Sequence, residues 1–223
     1  PTKDELEKEN VDAVIHGAQG NLDRHIKNMA GFGMPVIVSI NRFDSDTDAE
    51  LDVLRTAAQK SGATEVTLTE VHANGGKGGE DLAKAVVTAV QDNVANGRPF
   101  TPLYTPEMPI IEKMNAIATR IYKADGIEIS TSAMKQLSKF QAWGYDHLPV
   151  CMAKTQYSFS HDPGKLGAPV GFTVPVREFR LNAGAGFIVA ILGNMMTMPG
   201  LPKRPAALDM DMDDEGNLTG VFG

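Results

Sequence analysis

The run Met34-Pro35-Val36-Ile37-Val38-Ser39-Ile40 is apolar except for one serine. A continuous apolar stretch this short predicts a strand buried on both faces, as in a parallel sheet. Before it, residues from about 4 to 30 follow a helical spacing, with Leu6, Val11, Val14, Ile15, Leu22, Ile26 and Met29 as the inward positions. Thr2 and Glu5 have the capping-box spacing, and Gly17 and Gly20 are expected to divide the segment into two helices. After the strand, Ser45-Asp46-Thr47-Asp48 is an N-cap cluster, and residues 48–61 carry Leu51, Val53, Leu54 and Ala58 on a helix that Gly62 ends. Residues 65–71 alternate and are rich in β-branched side chains, which predicts a second strand. A glycine-rich loop at 74–79 and a helix at about 80–95 come next. Strand, helix, strand, loop and helix in that order predict parallel strands with right-handed crossovers, half of a doubly wound sheet.

The pattern then changes. Asn96-Gly97-Arg98-Pro99, Pro102, Pro106 and Pro109 mark an irregular crossing segment. Helices are expected at 110–122 and, capped by Thr131, at 131–142, with short strands at 126–130 and 149–153. Residues 172–180 and 186–192 alternate as strands. Pro175 falls inside the first of these, so that strand is expected at an edge or broken there. The tail from 208 to 221 reads as a hairpin turning through Glu215-Gly216-Asn217.

At 223 residues there is room for one large or two small domains with a real core. A net charge of −7 gives no basic face for nucleic acid or an anionic membrane. No apolar run approaches the ~18 residues of a membrane span. Cys151 is the only cysteine, so no internal disulfide forms; its apolar surroundings predict a buried, inert thiol and fit a reducing, cytoplasmic setting. The charged start is no signal peptide and lacks an initiator Met, which fits a piece of a longer chain.

The chemistry concentrates at the strand ends, where open α/β sheets bind ligands. Asn41-Arg42-Phe43-Asp44 matches Asn-Lys-x-Asp with Arg for Lys, a pattern in which the carboxylate reads ring N–H groups and the basic stem covers a flat base. The same residues also suit a simple turn in which Asp44 opens the next helix. Asn74-Gly75-Gly76-Lys77-Gly78-Gly79-Glu80 either presents backbone N–H groups to an anion or is a flexible loop; it is not a P-loop, because Gly78 follows Lys77. His72, at the end of the second strand, is expected to line a site. The loop with Lys154, Tyr157 and Ser160 and the stiff turn with Pro199, Gly200, Lys203 and Arg204 either approach a polyanion or are surface connections. Asp211 to Phe222 lacks the twelfth-position Glu of a calcium loop, and no zinc spacing or hydrolase elbow occurs, so no metal site is expected.

Four segments carry a family resemblance. They are the stretch with Ser39-Ile40-Asn41-Arg42-Phe43-Asp44-Ser45-Asp46-Thr47, residues 70–80, Cys151-Met152-Ala153-Lys154-Thr155-Gln156-Tyr157-Ser158-Phe159-Ser160, and Met196-Thr197-Met198-Pro199-Gly200-Leu201-Pro202-Lys203-Arg204-Pro205-Ala206-Ala207. Together they resemble formate–tetrahydrofolate ligase, whose members run to more than twice this length, and the likeness extends from residue 1 to 223. It implies an α/β fold: residues 1–105 as the second half of a P-loop-type parallel sheet with helices on both faces, and 106–223 as a smaller C-terminal domain of helices and strands. It implies ATP-dependent ligation through formyl phosphate. The substrates would be formate, ATP with Mg2+ and tetrahydrofolate, with a monovalent cation, a homotetramer, and a cytoplasmic enzyme whose P-loop and catalytic residues lie outside this chain, so that the fragment alone is inactive. It implies that the pterin ring lies between Phe43 and position 72, with Leu68 lining the slot; the family commonly has Trp where this sequence has His72. Asn41, Asp44, Lys154, Tyr157, Pro199 and Gly200 are candidate nucleotide or ring contacts. A GTPase-like nucleotide domain, read from Asn41 and Asp44, and a structural or oligomerisation domain are the rival readings.

Overall fold

Ile37–Asn41 forms strand β1 and Glu65–Thr69 forms β2, joined by helix α3 (Asp48–Lys60). They pair in parallel, with Asn41 opposite Thr69. The hydroxyls of Ser39 and Thr69 meet at 3.1 Å, a cross-strand contact at the carboxyl end of the pair. The computed structural model describes residues 8–193, 203–214, 216 and 218–220. The expected Thr2–Glu5 capping box, Pro199, Gly200 and the hairpin positions Glu215 and Asn217 lie outside the described residues.

Helix α3 starts where its capping chemistry requires. Thr47 Oγ1 accepts from the Glu50 backbone N–H at 3.3 Å, and Glu50 Oε2 accepts from the Thr47 N–H at 3.1 Å. Glu50 Oε1 also accepts from the Asn10 N–H at 2.7 Å, which ties α3 to the start of helix α1 (Val11–Gly17). Burying Leu51 and Ala58 of α3 with Ile26, Ile40 and Val66 gives the first apolar core.

Gly17 and Gly20 do not break the leading helix. Helix α1 continues through a π-helical stretch, Ala18–Leu22, into α2 (Asp23–Ala30) with helical dihedrals throughout. The wider turn takes up an extra residue and rotates α2 relative to α1. On α2, Ile26 is buried as expected, but Met29 is exposed and Asn28 is buried.

The second strand ends two residues earlier than its β-branched pattern suggests. Residues Val71–Asn74 form one helical turn (α4), so His72 sits on a helical turn and not at a strand end. The glycine-rich segment Gly75–Gly79 is a 3₁₀ turn folded back on Glu70, whose N–H donates to Gly78 O at 3.0 Å. A Cβ on Gly78 would lie 2.4 Å from the Glu70 carbonyl, so close approach demands glycine there. Helix α5 (Glu80–Ala95) comes next.

Beyond the irregular segment, α6 (Ile110–Arg120), β3 (Gly126–Ile129), α7 (Thr131–Ala142), β4 (Val150–Ala153), β5 (Thr173–Asn182) and β6 (Phe187–Leu192) build a mixed sheet in the order β3-β5-β6-β4. The first and last pairs are parallel and the central pair antiparallel. Its core gathers Ile110, Met114, Leu137, Val174, Phe179 and Ile188. Ser130, not Thr131, caps α7: its Oγ accepts from the Ala133 N–H at 3.1 Å. Strand β5 is interior, so the edge expected from Pro175 does not hold. Its ladder to β6 is irregular close to the proline: Pro175 O accepts from the Gly193 N–H at 3.2 Å, and the register shifts between Val176 and Glu178, in line with the alternative expectation of a break. Cys151 is exposed: β4 is an edge strand, and the alternation that buries Val150 turns the next residue outward.

The chain divides into two compact units, 1–193 and 194–223. Both sheets above belong to the first. In the second, Asp211–Met212 (β7) and Leu218–Thr219 (β8) pair antiparallel as a short hairpin. The fold is thus α/β, with a parallel pair, a mixed four-stranded sheet and packed helices.

Candidate functional site

The register of β1 and β2 brings their carboxyl ends to one edge. Arg42 N–H donates to Thr69 O at 3.0 Å, extending the pairing by one residue. Phe43 is the next residue, and its backbone is pinned: its N–H donates to Asp46 Oδ2 at 2.8 Å, and the Asp46 N–H returns to Phe43 O at 3.0 Å. The turn is fixed, yet Phe43 is 64% exposed. Position 72 lies three residues past Thr69, on the adjacent exit, and the His72 side chain is exposed. An exposed phenyl ring therefore follows β1, and an exposed imidazole sits on the helical turn that follows the neighbouring β2. Asp44 is exposed as well, while the Arg42 guanidinium pairs with Asp48 at 3.3 Å.

Asn41 lines a cavity of about 680 Å³ at the end of β1, together with Asp46, Glu50, Asn21, His25 and the π-helical residue Ala18. Leu68 lies elsewhere. It is half-buried against the first core and borders a cavity of about 430 Å³ with Arg55, Thr67 and Lys84. There Thr67 Oγ1 and Arg55 Nε are buried without hydrogen-bond partners.

Lys154 and Tyr157 come together beyond β4. They share a cavity of about 440 Å³ with Asn21, His25, Asn28, Phe32, Tyr122 and Phe159. Lys154 Nζ donates to the carbonyls of Thr155 (2.8 Å) and Ser158, and lies 5.3 Å from the centre of the Tyr122 ring. Burial pulls the Lys154 ammonium below the usual lysine range. Burial, with Cys151 nearby, pushes the Tyr122 hydroxyl up to about 12, so it stays a neutral donor at ordinary pH. Arg24 lies over Phe159 at 5.5 Å and donates to Tyr122 O at 3.2 Å. His25 meets the same phenyl ring at 4.8 Å. Asn28 Nδ2 donates to Ile121 O at 3.0 Å, but its Oδ1 is buried and unpartnered.

Sequence patterns missed Asn21, His25 and Asn28. The available signal was their spacing of four and three, a polar stripe along a helix whose apolar positions had taken the attention. Among the described residues, no group of three or more His, Cys, Asp or Glu is arranged to hold a metal ion, and no helix is long and apolar enough to cross a membrane.

A family profile described as formate–tetrahydrofolate ligase matches residues 1–222. Proteins named formate–tetrahydrofolate ligase from Leuconostoc citreum strain KM20, Acidiphilium cryptum strain JF-5 and Paracoccus denitrificans strain Pd 1222 are 52%, 50% and 51% identical to the chain. These similarities cover 98–99% of the chain but only 38–39% of each relative.

Proposed function

Because the chain belongs to the formate–tetrahydrofolate ligase family, we propose that it is the folate-positioning portion of an ATP-dependent ligase. The reaction joins formate to tetrahydrofolate. Formate attacks the γ-phosphate of ATP to give formyl phosphate and ADP, and N10 of tetrahydrofolate then attacks the formyl carbon and releases phosphate. Phe43 and His72 flank the pterin ring, while Leu68, which borders the cavity of Arg55, Thr67 and Lys84, stands apart from that slot; Asn41, Asp44 and the loop of Lys154 and Tyr157 contact the ring or the nucleotide. ATP with Mg2+, and a monovalent cation, are taken to be held chiefly by the remainder of the family polypeptide, which also supplies the P-loop half of the sheet. The division at about residue 105, the homotetramer and the cytoplasmic location belong to the same reading. The two separate apolar cores on either side of the irregular segment support that division.

One observation carries the proposal. Phe43 is a large apolar ring held by a rigid turn at the carboxyl edge of a parallel sheet, with most of its surface unburied. A ring in that state offers a stacking face without needing to rearrange. Imidazole at position 72 offers a smaller face than an indole would. The test is tetrahydrofolate affinity in the ligase-length protein. Phe43→Ala is expected to weaken binding about tenfold or more, the range measured when an aromatic platform under a base is removed. Unchanged affinity in the variant would remove the folate assignment.

A further inference from the structure

Both polar groups of the Phe43 backbone are held by one residue. The ladder of β1 with β2 ends at Asn41, and the Arg42 N–H carries the pairing one residue further, to Thr69 O. Phe43 lies beyond it. Its N–H donates to the Asp46 carboxylate at 2.8 Å, and its carbonyl accepts from the Asp46 N–H at 3.0 Å. The second bond closes an ordinary four-residue turn. The first is not needed for a turn, and an N–H bonded to a carboxylate makes a stronger bond than one to a neutral acceptor. The carboxylate is not drawn off by a cation either: Arg42, the nearest in sequence, pairs with Asp48.

Asp46 is itself anchored. The next residue, Thr47, caps α3 in a closed box with Glu50, and Glu50 also accepts from the Asn10 N–H at 2.7 Å. Leu51, on the same first turn of α3, is buried in the first core. A connected set of hydrogen bonds therefore runs from the start of α1, through the start of α3, to the residue that follows β1. The Phe43 ring has need of it. With most of its surface in water, it gains little orientation from packing, so its direction depends on the backbone that carries it. A platform that swings freely must be ordered by its ligand, which lowers affinity; one already held loses less freedom on binding.

We propose that Asp46 is a positioning residue for tetrahydrofolate: its carboxylate fixes the Phe43 backbone and so aims the phenyl ring at the pterin. This rests on the reading of Phe43 as the pterin platform. Asp46 also borders the cavity at the end of β1 with Asn41, but its role is exerted through Phe43 and not by contact with the substrate. The role is that of a hydrogen-bond acceptor, so an amide oxygen at the same place can fill it. It serves binding and not the chemical step. Its loss therefore raises the KM for tetrahydrofolate and leaves kcat where it was.

Titration and steady-state kinetics of the ligase-length protein test this, comparing Phe43→Ala, Asp46→Ala, Asp46→Asn and the double variant Phe43→Ala/Asp46→Ala. A cooperative thermal transition serves as the folding control. Asp46→Ala is expected to weaken tetrahydrofolate about three- to tenfold, with kcat and the KM for ATP unchanged. Asp46→Asn should recover most of that affinity. In the Phe43→Ala background, Asp46→Ala should cause no further loss, because the bond acts only through the ring that is gone. A full additional loss in the double variant would mean direct contact with the substrate and overturn the positioning role. Wild-type affinity in Asp46→Ala, or an Asn variant as weak as the Ala variant, overturns it too. In those three cases a weakened Phe43→Ala still leaves the pterin platform standing. Unchanged folate affinity in Phe43→Ala instead removes the platform, and the role of Asp46 with it. The wild-type chain gives a reading that does not depend on any variant folding. In the 223-residue chain the Phe43 amide hydrogen should exchange more slowly than that of Asp44; equal exchange would show that the carboxylate does not hold it.

Discussion

Phe43 and Lys113 show how opposite kinds of exposure carry opposite meanings. Phe43 is apolar and mostly in water; removing its ring should leave folding stability within about 0.5 kcal/mol, as for surface positions generally. A melting curve of Phe43→Ala checks this, and it separates a binding residue from a packing one. Lys113 is charged and fully buried on α6, with Nζ donating to the carbonyls of Asp146, His147 and Leu148 at 3.3, 3.0 and 3.0 Å. It holds the turn that leads into β4. Lys113→Met keeps the aliphatic stem but leaves those carbonyls without a donor, and should destabilise the fold by about 2–3 kcal/mol in urea titration. His72→Trp belongs beside these. A larger π-face at that exit should tighten tetrahydrofolate in the ligase-length protein, and a loss of affinity on equilibrium titration would contradict the stacking role. Neither the burial of Lys113 nor the exposure of Cys151 was legible in the sequence. A lysine near Pro109 and a cysteine in an apolar run carry no mark of which face they will occupy; that is decided by the sheet order, which places β4 at an edge.

Helix α3 shows what local sequence does reveal. Its start was readable because a capping box is complete within four residues, and its end because Gly62 takes a φ of +101° that favours glycine. The box should be measurable. Thr47→Ala is expected to cost about 1 kcal/mol, read as a lowered urea midpoint. Glu50 adds a pH signature. Backbone N–H donation, first from Asn10 and then from Thr47, holds its carboxyl below the ordinary glutamate value of 4.5. A pKa depressed in the folded chain means stability that is present above 4.5 and lost as pH falls through the lower folded value. Melting temperature should therefore decline as pH falls from 4.5 toward the lower folded value, and Glu50→Gln should flatten the decline; an identical pH profile in the variant would refute the assignment. The π-helical stretch and the turn at Val71–Asn74 were hidden for the converse reason. Gly17 and Gly20 favour a break, and Val71 favours a strand, but tertiary packing overrides both preferences.

Within residues 1–193 the two sheets are unequal. The four-stranded sheet covers itself with a continuous core, whereas β1 and β2 form a parallel pair alone, an arrangement that elsewhere needs more strands and covered faces. Helix α5 adds exposed Val86, Val90 and Val94 at successive turns. A chain matching 38% of a relative's length is expected to leave such surfaces for the rest of the polypeptide to cover. In hydrogen exchange on the 223-residue chain, amides of β1 and β2 should exchange faster than those of β5 and β6; equal protection would show that the pair is self-sufficient. The chain alone should make no 10-formyltetrahydrofolate. The central claim is the pterin slot at the paired ends of β1 and β2, and a crystal structure of the ligase-length protein with a bound tetrahydrofolate analogue tests it most directly. The pteridine ring is predicted to lie on the Phe43 ring at van der Waals separation, about 3.5–4.0 Å, with the His72 imidazole on its other face. A pteridine ring found away from both side chains would contradict it.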